Sequence, residues 1–262
     1  MIYAVGDIHG QRVELEKALR WIEADGGPDA RIVFLGDYVD RGPDSRGVLE
    51  LLSRGMDAGR NWVAIKGNHD RMFERFLEDG EIHDDQIASG KGWLHPALGG
   101  QRTLGSYDGG EPFLHPMNGG LATLLAYGVE IEDGARKNAV QEAARDSVPE
   151  AHRRFIADLP LWHREGDLTF VHAGIRPGVP MAEQVEDDLL WIRRGFLEDL
   201  RDHGTLIVHG HTALERPEAY PNRINLDGGA GYGRPLRPAV FDGREAWLLT
   251  GEGREKLEPV LL

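Results

Sequence analysis

Three times within its first seventy residues the chain runs from a short apolar stretch through a glycine-bounded polar loop into a pattern of apolar residues at helical spacing. Ile2 to Val5 gives way to Gly6-Asp7-Ile8-His9-Gly10, and Ile32 to Leu35 to Gly36-Asp37-Tyr38-Val39-Asp40-Arg41-Gly42. Trp62 to Ile65 runs into Lys66-Gly67-Asn68-His69-Asp70. Behind these loops come Val13, Leu15, Leu19, Trp21 and Ile22, then Val48, Leu49, Leu51, Leu52 and Met56, then Met72, Phe73, Phe76 and Leu77. Four apolar residues bounded by turn signals are too few for a helix and read as strands. Three strand-helix units in succession imply a parallel β-α-β-α-β core with right-handed crossovers, all three strand ends pointing the same way. Open α/β sheets bind ligands at that edge, so the three polar loops are expected to converge there.

Further along, Leu168 to Val171 leads into His172-Ala173-Gly174, and Leu206 to Val208 into His209-Gly210-His211-Thr212. Between them, Leu189 through Leu200 reads as one apolar helical face carrying Arg193 and Arg194. Arg223 to Leu226, Ala239 to Phe241 and Trp247 to Leu249 read as short strands of an antiparallel tail, separated by Asp-Gly and Gly-rich turns. Residues 79 to 160 differ in kind: they are acidic at first, then glycine-rich and short of strand-like runs, and read as an insertion over the sheet. Its last part, 137 to 158, is expected to be helical with Val140, Ala143, Ala144, Phe155 and Ile156 inward. Residues 93 to 107 recur as 113 to 127 at a constant offset of 20. Two copies are too few for a solenoid, so a local duplication that lengthens a rim or lid is expected. His95 and His115, each before a proline, read as structural or surface residues. No Pro/Ser linker divides the chain, which is read as one domain over residues 1–262 with the insertion at about 79–160.

Five loops, each after an apolar strand, therefore supply Asp7 and His9, Asp37 and Asp40, Asn68 and His69, His172, and His211. Singly, each has an ordinary explanation, since Gly-Asp caps a helix and a lone histidine at a strand end bonds a backbone carbonyl. Jointly, five such strand ends define a candidate metal site. The chain has no cysteine, so any metal must be held by oxygen and nitrogen, a ligand set suited to Mn, Fe or Zn. With 30 basic against 44 acidic residues the net charge is -14, which argues against a nucleic-acid backbone or an anionic membrane as partner. An anionic substrate must be attracted locally. The sequence opens directly into a strand-like run and contains no membrane-length apolar stretch, from which a cytoplasmic protein is expected.

The set Asp7-Ile8-His9-Gly10, Gly36-Asp37-Tyr38-Val39-Asp40-Arg41-Gly42, Gly67-Asn68-His69-Asp70, His172-Ala173-Gly174 and Gly210-His211 resembles the ordered motifs of the calcineurin-like metallophosphoesterase superfamily. Within it the resemblance is to the phosphoprotein phosphatase family in its bacterial and bacteriophage branch, over residues 6 to 212. It implies an α/β fold of two packed mixed sheets flanked by helices, and a site for two divalent ions, Mn²⁺ foremost with Fe or Zn tolerated. By position, the first ion takes Asp7, His9 and Asp37, and the second takes Asp37, Asn68, His172 and His211. The wider superfamily often carries Gly-His-x-His at the last motif; here Ala213 follows, which fits the phosphatase branch and weakens a nuclease or phosphodiesterase reading. His209 is given a supporting role.

The same resemblance implies direct attack on a phosphate ester by a hydroxide bridging ions roughly 3.5 to 4 Å apart, without a covalent enzyme intermediate. Arg41 and Arg193, the latter in a Trp191-Ile192-Arg193 segment like the family's Trp-x-Arg element, are expected to clamp the phosphate, with Arg193 preferred to Arg194. His69 is the expected general acid, with Asp40 orienting it and raising its pKa. The expected substrate is a phosphorylated protein at serine or threonine, or a small phosphate ester. Symmetrical hydrolysis of diadenosine tetraphosphate is the alternative. A non-enzymatic scaffold would have lost a ligand or acid position, and none is missing.

Overall fold

A computed structural model describes residues 1–86, 120–129, 131 and 135–260. The first copy of the duplicated segment, His95 and His115 lie outside the described residues, and the second copy is described from residue 120 on.

Strands β1 (Ile2–Val5), β2 (Ile32–Phe34) and β3 (Trp62–Ala64) run parallel, with α1 (Arg12–Gly26) and α2 (Ser45–Asp57) between them and α3 (Asn68–Asp79) following. Every second residue faces the helices: Tyr3, Val5, Ile32, Phe34, Trp62 and Ala64 share one apolar core with Leu15, Leu49 and Phe73. The alternate residues Ala4, Val33, Leu35 and Ile65 enter a second core on the opposite face. A strand apolar on both faces must be covered on both, which is why these runs do not alternate with polar residues.

The returning chain supplies α4 (Gly120–Ala126), α5 (Lys137–Ser147) and α6 (Glu150–Ala157). Leu124, Tyr127, Val140, Ala144 and Ile156 join the helix-side core. The helix expected over 137–158 is two helices, because Pro149 has no N–H to continue the ladder, and Ala143 faces solvent rather than inward.

A second sheet follows, from β4 (Trp162–Glu165), β5 (Leu168–Val171), β6 (Leu206–His209), β7 (Glu218–Ala219) and β8 (Arg223–Asn225), in the order β4-β5-β6-β8-β7. Leu168, Phe170, Leu206 and Val208 fill the core between the two sheets. Arg223–Asn225 pairs parallel to β6, so this run belongs to the second sheet and not to an antiparallel tail. Strands β9 (Ala239–Asp242), β10 (Glu245–Thr250) and β11 (Gly253–Lys256) do form such a tail, extending the first sheet beyond β1.

On the outer face of the second sheet lies α7 (Glu186–Trp191). The continuous helix expected through Leu200 stops at Trp191. Ile192 turns to an extended conformation and Gly195 takes φ 81°, reversing the chain so that Phe196 packs with Val171, Ile175, Leu189 and Ile207. Arg193 therefore sits in a turn rather than on a helix, and Leu200 is exposed. The architecture is α/β, two mixed sheets packed face to face and flanked by helices. Among the described residues no helix is long and apolar enough to cross a membrane.

Candidate metal centre

The loops after β1, β2 and β3 lie against one another. Ile8 and His9 donate their backbone N–H groups to the Asp37 carbonyl at 3.1 and 2.8 Å, and Gly10 donates to Tyr38 at 2.9 Å. Asp70, at the start of α3, accepts from the backbone N–H groups of Asp37, Tyr38 and Gly67 at 2.8, 3.0 and 2.9 Å. Gly67 is required here, because a Cβ would stand 2.2 Å from the Asp37 nitrogen. The helix starts at Asn68, so Asn68 and His69 occupy its first turn, with the positive end of the helix dipole beside the site.

Among the described residues, the non-glycine residues with positive φ are His9 (47°), Asp37 (54°), Asp40 (76°), Arg41 (65°) and His211 (64°). Each such conformation costs on the order of 1–3 kcal/mol and persists where its surroundings over-determine it. All five are residues that the sequence motifs single out.

The two oxygens of Asp37 face different histidines: Oδ2 lies 3.4 Å from His9 Nε2, and Oδ1 lies 3.4 Å from His172 Nε2. His9 donates Nδ1–H to the Val39 carbonyl and His172 donates Nδ1–H to the Leu35 carbonyl, both at 2.9 Å, which leaves each Nε2 lone pair turned toward the carboxylate. His172 Nε2 and His211 Nδ1 each lie 2.8 Å from Asn68 Oδ1. The backbone N–H of His211 donates to Asp7 at 3.2 and 3.1 Å, an approach open because position 210 is glycine; a Cβ there would lie 2.0 Å from Asp7 Oδ1. Ligand atoms of Asp7, Asp37 and His172 all lie within 4.8 Å of one another, and so do those of His9, Asp37 and His69. Asp37 is common to both groups.

The side-chain atoms turned to this centre are mostly lone-pair acceptors. Burial, and then the charge of Asp227, hold the Asp7 carboxyl well above the ordinary carboxylate range; burial and then Asp70 do the same to Asp37. Burial holds His9 and His211 well below the usual imidazole range and His172 down to about 3, so the rings are neutral. Carboxylate oxygen, amide oxygen and neutral imidazole, gathered in one buried place, fit divalent ions of the Mn, Fe or Zn kind.

His69 Nδ1 lies 2.6 Å from Asp40 Oδ2, and its Nε2 lies 3.2 Å from Arg41 Nη2. The upward pKa shift expected from Asp40 is not the outcome. Burial first, then the positive charge of Arg41, hold the ring well below its ordinary value. Arg41 also places Nη1 2.7 Å from His9 Nε2 and lies over the Tyr232 ring at 4.9 Å. Arg193 Nη2 donates to the His211 carbonyl at 3.4 Å, whereas Arg194 lines a separate cleft with Trp191 and Ile192. His209 turns away: Nδ1–H donates to the Gly210 carbonyl at 3.1 Å and the ring stands edge-on to Phe196.

Four residues here carry roles that the sequence motifs do not show. Asp70 closes the Gly67-Asn68-His69-Asp70 motif, and it is the fold that makes it the acceptor joining two loops. Asp227, buried beside Asp7, ends the run Ile224-Asn225-Leu226 and precedes Gly228-Gly229, the same strand-then-Gly/Asp construction that identified the other loops. Tyr232 covers Arg41 from a surface turn that carries no periodic signal. Thr123, which reaches Asp40, comes from the segment read as an insertion.

A two-sheet sandwich with paired carboxylates, an amide and imidazoles at its strand ends defines a class of metal-dependent phosphoester hydrolases. Residues 1–232 match the family model described as calcineurin-like phosphoesterase, and the chain belongs to that family. It is 43% identical over 72 residues to serine/threonine-protein phosphatase 1 of Salmonella typhimurium, a match covering 27% of this chain and 30% of that protein. It is 24% identical over 265 residues to the asymmetrical bis(5'-nucleosyl)-tetraphosphatase PrpE of Bacillus velezensis, covering 92% of this chain and 89% of the relative. The solved cold-active protein-tyrosine phosphatase of a psychrophilic Shewanella shares the fold, with a TM-score of 0.59 at 16% identity over 98% of this chain and 80% of that one.

Proposed function

We propose that the protein is a phosphomonoesterase with a dinuclear centre, acting on phosphoserine or phosphothreonine in protein substrates. The observation that carries this reading is the position of Asp37, whose two oxygens are turned to imidazoles from different sheets. Asp7, His9 and Asp37 would hold one ion, and Asp37, Asn68, His172 and His211 the other, with Mn²⁺ the expected metal. When bound, two such ions supply positive charge for the phosphoryl oxygens and acidify water toward neutral pH. The surrounding unit is taken as one domain over 1–262 with the insertion at about 79–160.

The remaining work falls to side chains of this chain. Arg41 and Arg193 bind phosphoryl oxygens through planar guanidinium forks and draw an anion to a protein whose net charge is -14. His69, tied through Nδ1 to Asp40, carries a proton at Nε2 for the leaving alkoxide. Without substrate that nitrogen faces Arg41 at 3.2 Å. Transfer of the Arg41 guanidinium to a phosphate frees Nε2 for its proton and brings a dianion beside the ring, which opposes the downward pull on its pKa.

Cleavage of a dinucleoside tetraphosphate is a second reading, favoured by the match to PrpE over 92% of the chain. It uses the same phosphoryl chemistry with a different leaving group. Protein loaded with Mn²⁺ and presented with phosphopeptides, small phosphate esters and diadenosine tetraphosphate is expected to release inorganic phosphate fastest from the peptides. A higher kcat/KM on the dinucleotide replaces the first reading with the second, two ADP marking symmetrical cleavage and ATP with AMP asymmetrical. No turnover of any of these by fully metallated protein overturns both.

A further inference from the structure

The duplicated segment has a consequence at the acid. Its second copy ends in α4, and Thr123 of that helix is fully buried against the loop after β2. Thr123 donates its hydroxyl proton to Asp40 Oδ1 at 2.7 Å and accepts from the Asp40 backbone N–H at 2.9 Å. Ser45 Oγ lies 3.2 Å from Thr123 Oγ1; because the threonine proton is committed to Asp40, Ser45 is the donor of that pair. The other Asp40 oxygen, Oδ2, takes the Nδ1 proton of His69 at 2.6 Å. A neutral hydroxyl from one side and an imidazole from the other thus fix the plane of a carboxylate that is 0% exposed and sits at φ 76°.

The helix carrying Thr123 is itself pinned. Tyr127, just past the end of that helix, stacks on Phe73 with ring centroids 6.1 Å apart, and its hydroxyl meets His152 Nδ1 at 2.7 Å. A fixed helix presenting a hydroxyl to a carboxylate is a means of setting orientation, and misplacing a reacting group by about 1 Å costs on the order of 10² in rate.

We propose that Thr123 is a positioning residue for the general acid, holding Asp40 so that His69 presents Nε2 to the leaving oxygen, and that the segment returning to the core is needed for acid catalysis. The inference rests on the assignment of His69 as acid, and the test separates the two. Five proteins are compared on an alkyl phosphate and on p-nitrophenyl phosphate, whose leaving group needs little protonation: wild type, Thr123→Val, Thr123→Ser, His69→Asn and the Thr123→Val/His69→Asn double variant. The ratio of kcat on the two esters does not depend on the fraction of protein that is folded.

His69→Asn is expected to lower kcat on the alkyl ester by roughly 10² to 10⁴, with a smaller loss on the aryl ester. Thr123→Val is expected to lower the alkyl-ester kcat by about 10- to 100-fold with KM little changed and the aryl ester less affected, and Thr123→Ser to recover most of that loss. In the double variant Thr123→Val should add almost nothing to His69→Asn, since both act through one group. Equal losses on both esters in His69→Asn remove the acid assignment itself. A selective loss in His69→Asn combined with equal losses on both esters in Thr123→Val, or with full additivity in the double variant, overturns the role of Thr123 alone.

Discussion

In the first sheet, the loops after β1 and β2 carry Asp7, Asp37, Asp40 and Arg41, and four of their non-glycine residues, His9 among them, stand at positive φ. In the second sheet, the loops after β5 and β6 carry His172 and His211, of which only His211 does. The first sheet thus holds Asp7, Asp37 and Asp40, the Arg41 guanidinium and most of the backbone strain, stabilised by the hydrogen bonds between its loops. The second contributes neutral rings, set by the Leu35 carbonyl just after β2 in the case of His172 and by the contact of His211 N–H with Asp7. Most of the charge lies where strand-helix units recur at short intervals, while the imidazoles of His172 and His211, and Asp227 beside Asp7, come from the other layer. Asp37 reaches both.

Cutting that link is expected to have the largest effect. Asp37→Asn should lower kcat/KM on any phosphate ester by more than about 10²-fold, beyond the 10–100-fold usual for residues that merely support a ligand, and should drop bound Mn²⁺ below two per chain. Equilibrium dialysis with metal analysis reads this directly; two tightly bound ions in that variant would sever the proposed bridge. Arg41→Ala tests the phosphate-binding side, with competitive inhibition by inorganic phosphate expected to weaken by roughly 10- to 100-fold, the worth of a charge-assisted hydrogen bond. Arg194→Ala should leave that inhibition within about threefold of wild type, since its side chain lies in a separate cleft. Equal effects of the two would erase the distinction drawn between them.

Asp70→Asn addresses what holds the first-sheet loops together. Three backbone N–H groups share that carboxylate, and the amide that replaces it accepts on one side only. Urea unfolding should show a loss of about 1–3 kcal/mol, and an unchanged midpoint would mean that the loops are held otherwise. The smallest effect is a proton count. Because burial holds the Asp7 and Asp37 carboxyls well above the ordinary value of about 4, both still carry protons at a pH where an exposed aspartate has lost its own. Mn²⁺ binding must displace those protons, so affinity should rise with pH through that range. Histidines held below their ordinary value are neutral at neutral pH and contribute none there. Titration calorimetry in buffers of different ionisation enthalpy reads the number released, and zero release just above the ordinary carboxylate range would contradict these shifts.

Much of the first half was legible because its signals are local. A run such as Ile32–Leu35 can only be a strand buried on both faces, and a Gly-framed Asp directly after it lands at a strand end whatever the rest of the chain does. The helix expected through Leu200 failed for the opposite reason. Apolar spacing from Leu189 to Leu200 satisfies a helix locally, but Phe196 gains more by folding back onto Val171 and Ile207, and Gly195 permits the reversal. The pairing of Arg223–Asn225 beside β6 could not be read either, since three apolar-flanked residues carry no information about direction.

By itself, then, the sequence determined which residues stand at which strand ends, because apolar period and glycine placement are properties of neighbours along the chain. Only the tertiary structure decided that Asp70 joins two loops, that Asp227 sits beside Asp7, that Arg193 reaches the His211 carbonyl while Arg194 lines another cleft, and that Thr123 reaches back 83 residues to Asp40. Each of these is a contact between side chains or buried backbone groups whose partners are chosen by how two sheets and a helical layer pack, and packing is a property of the whole chain.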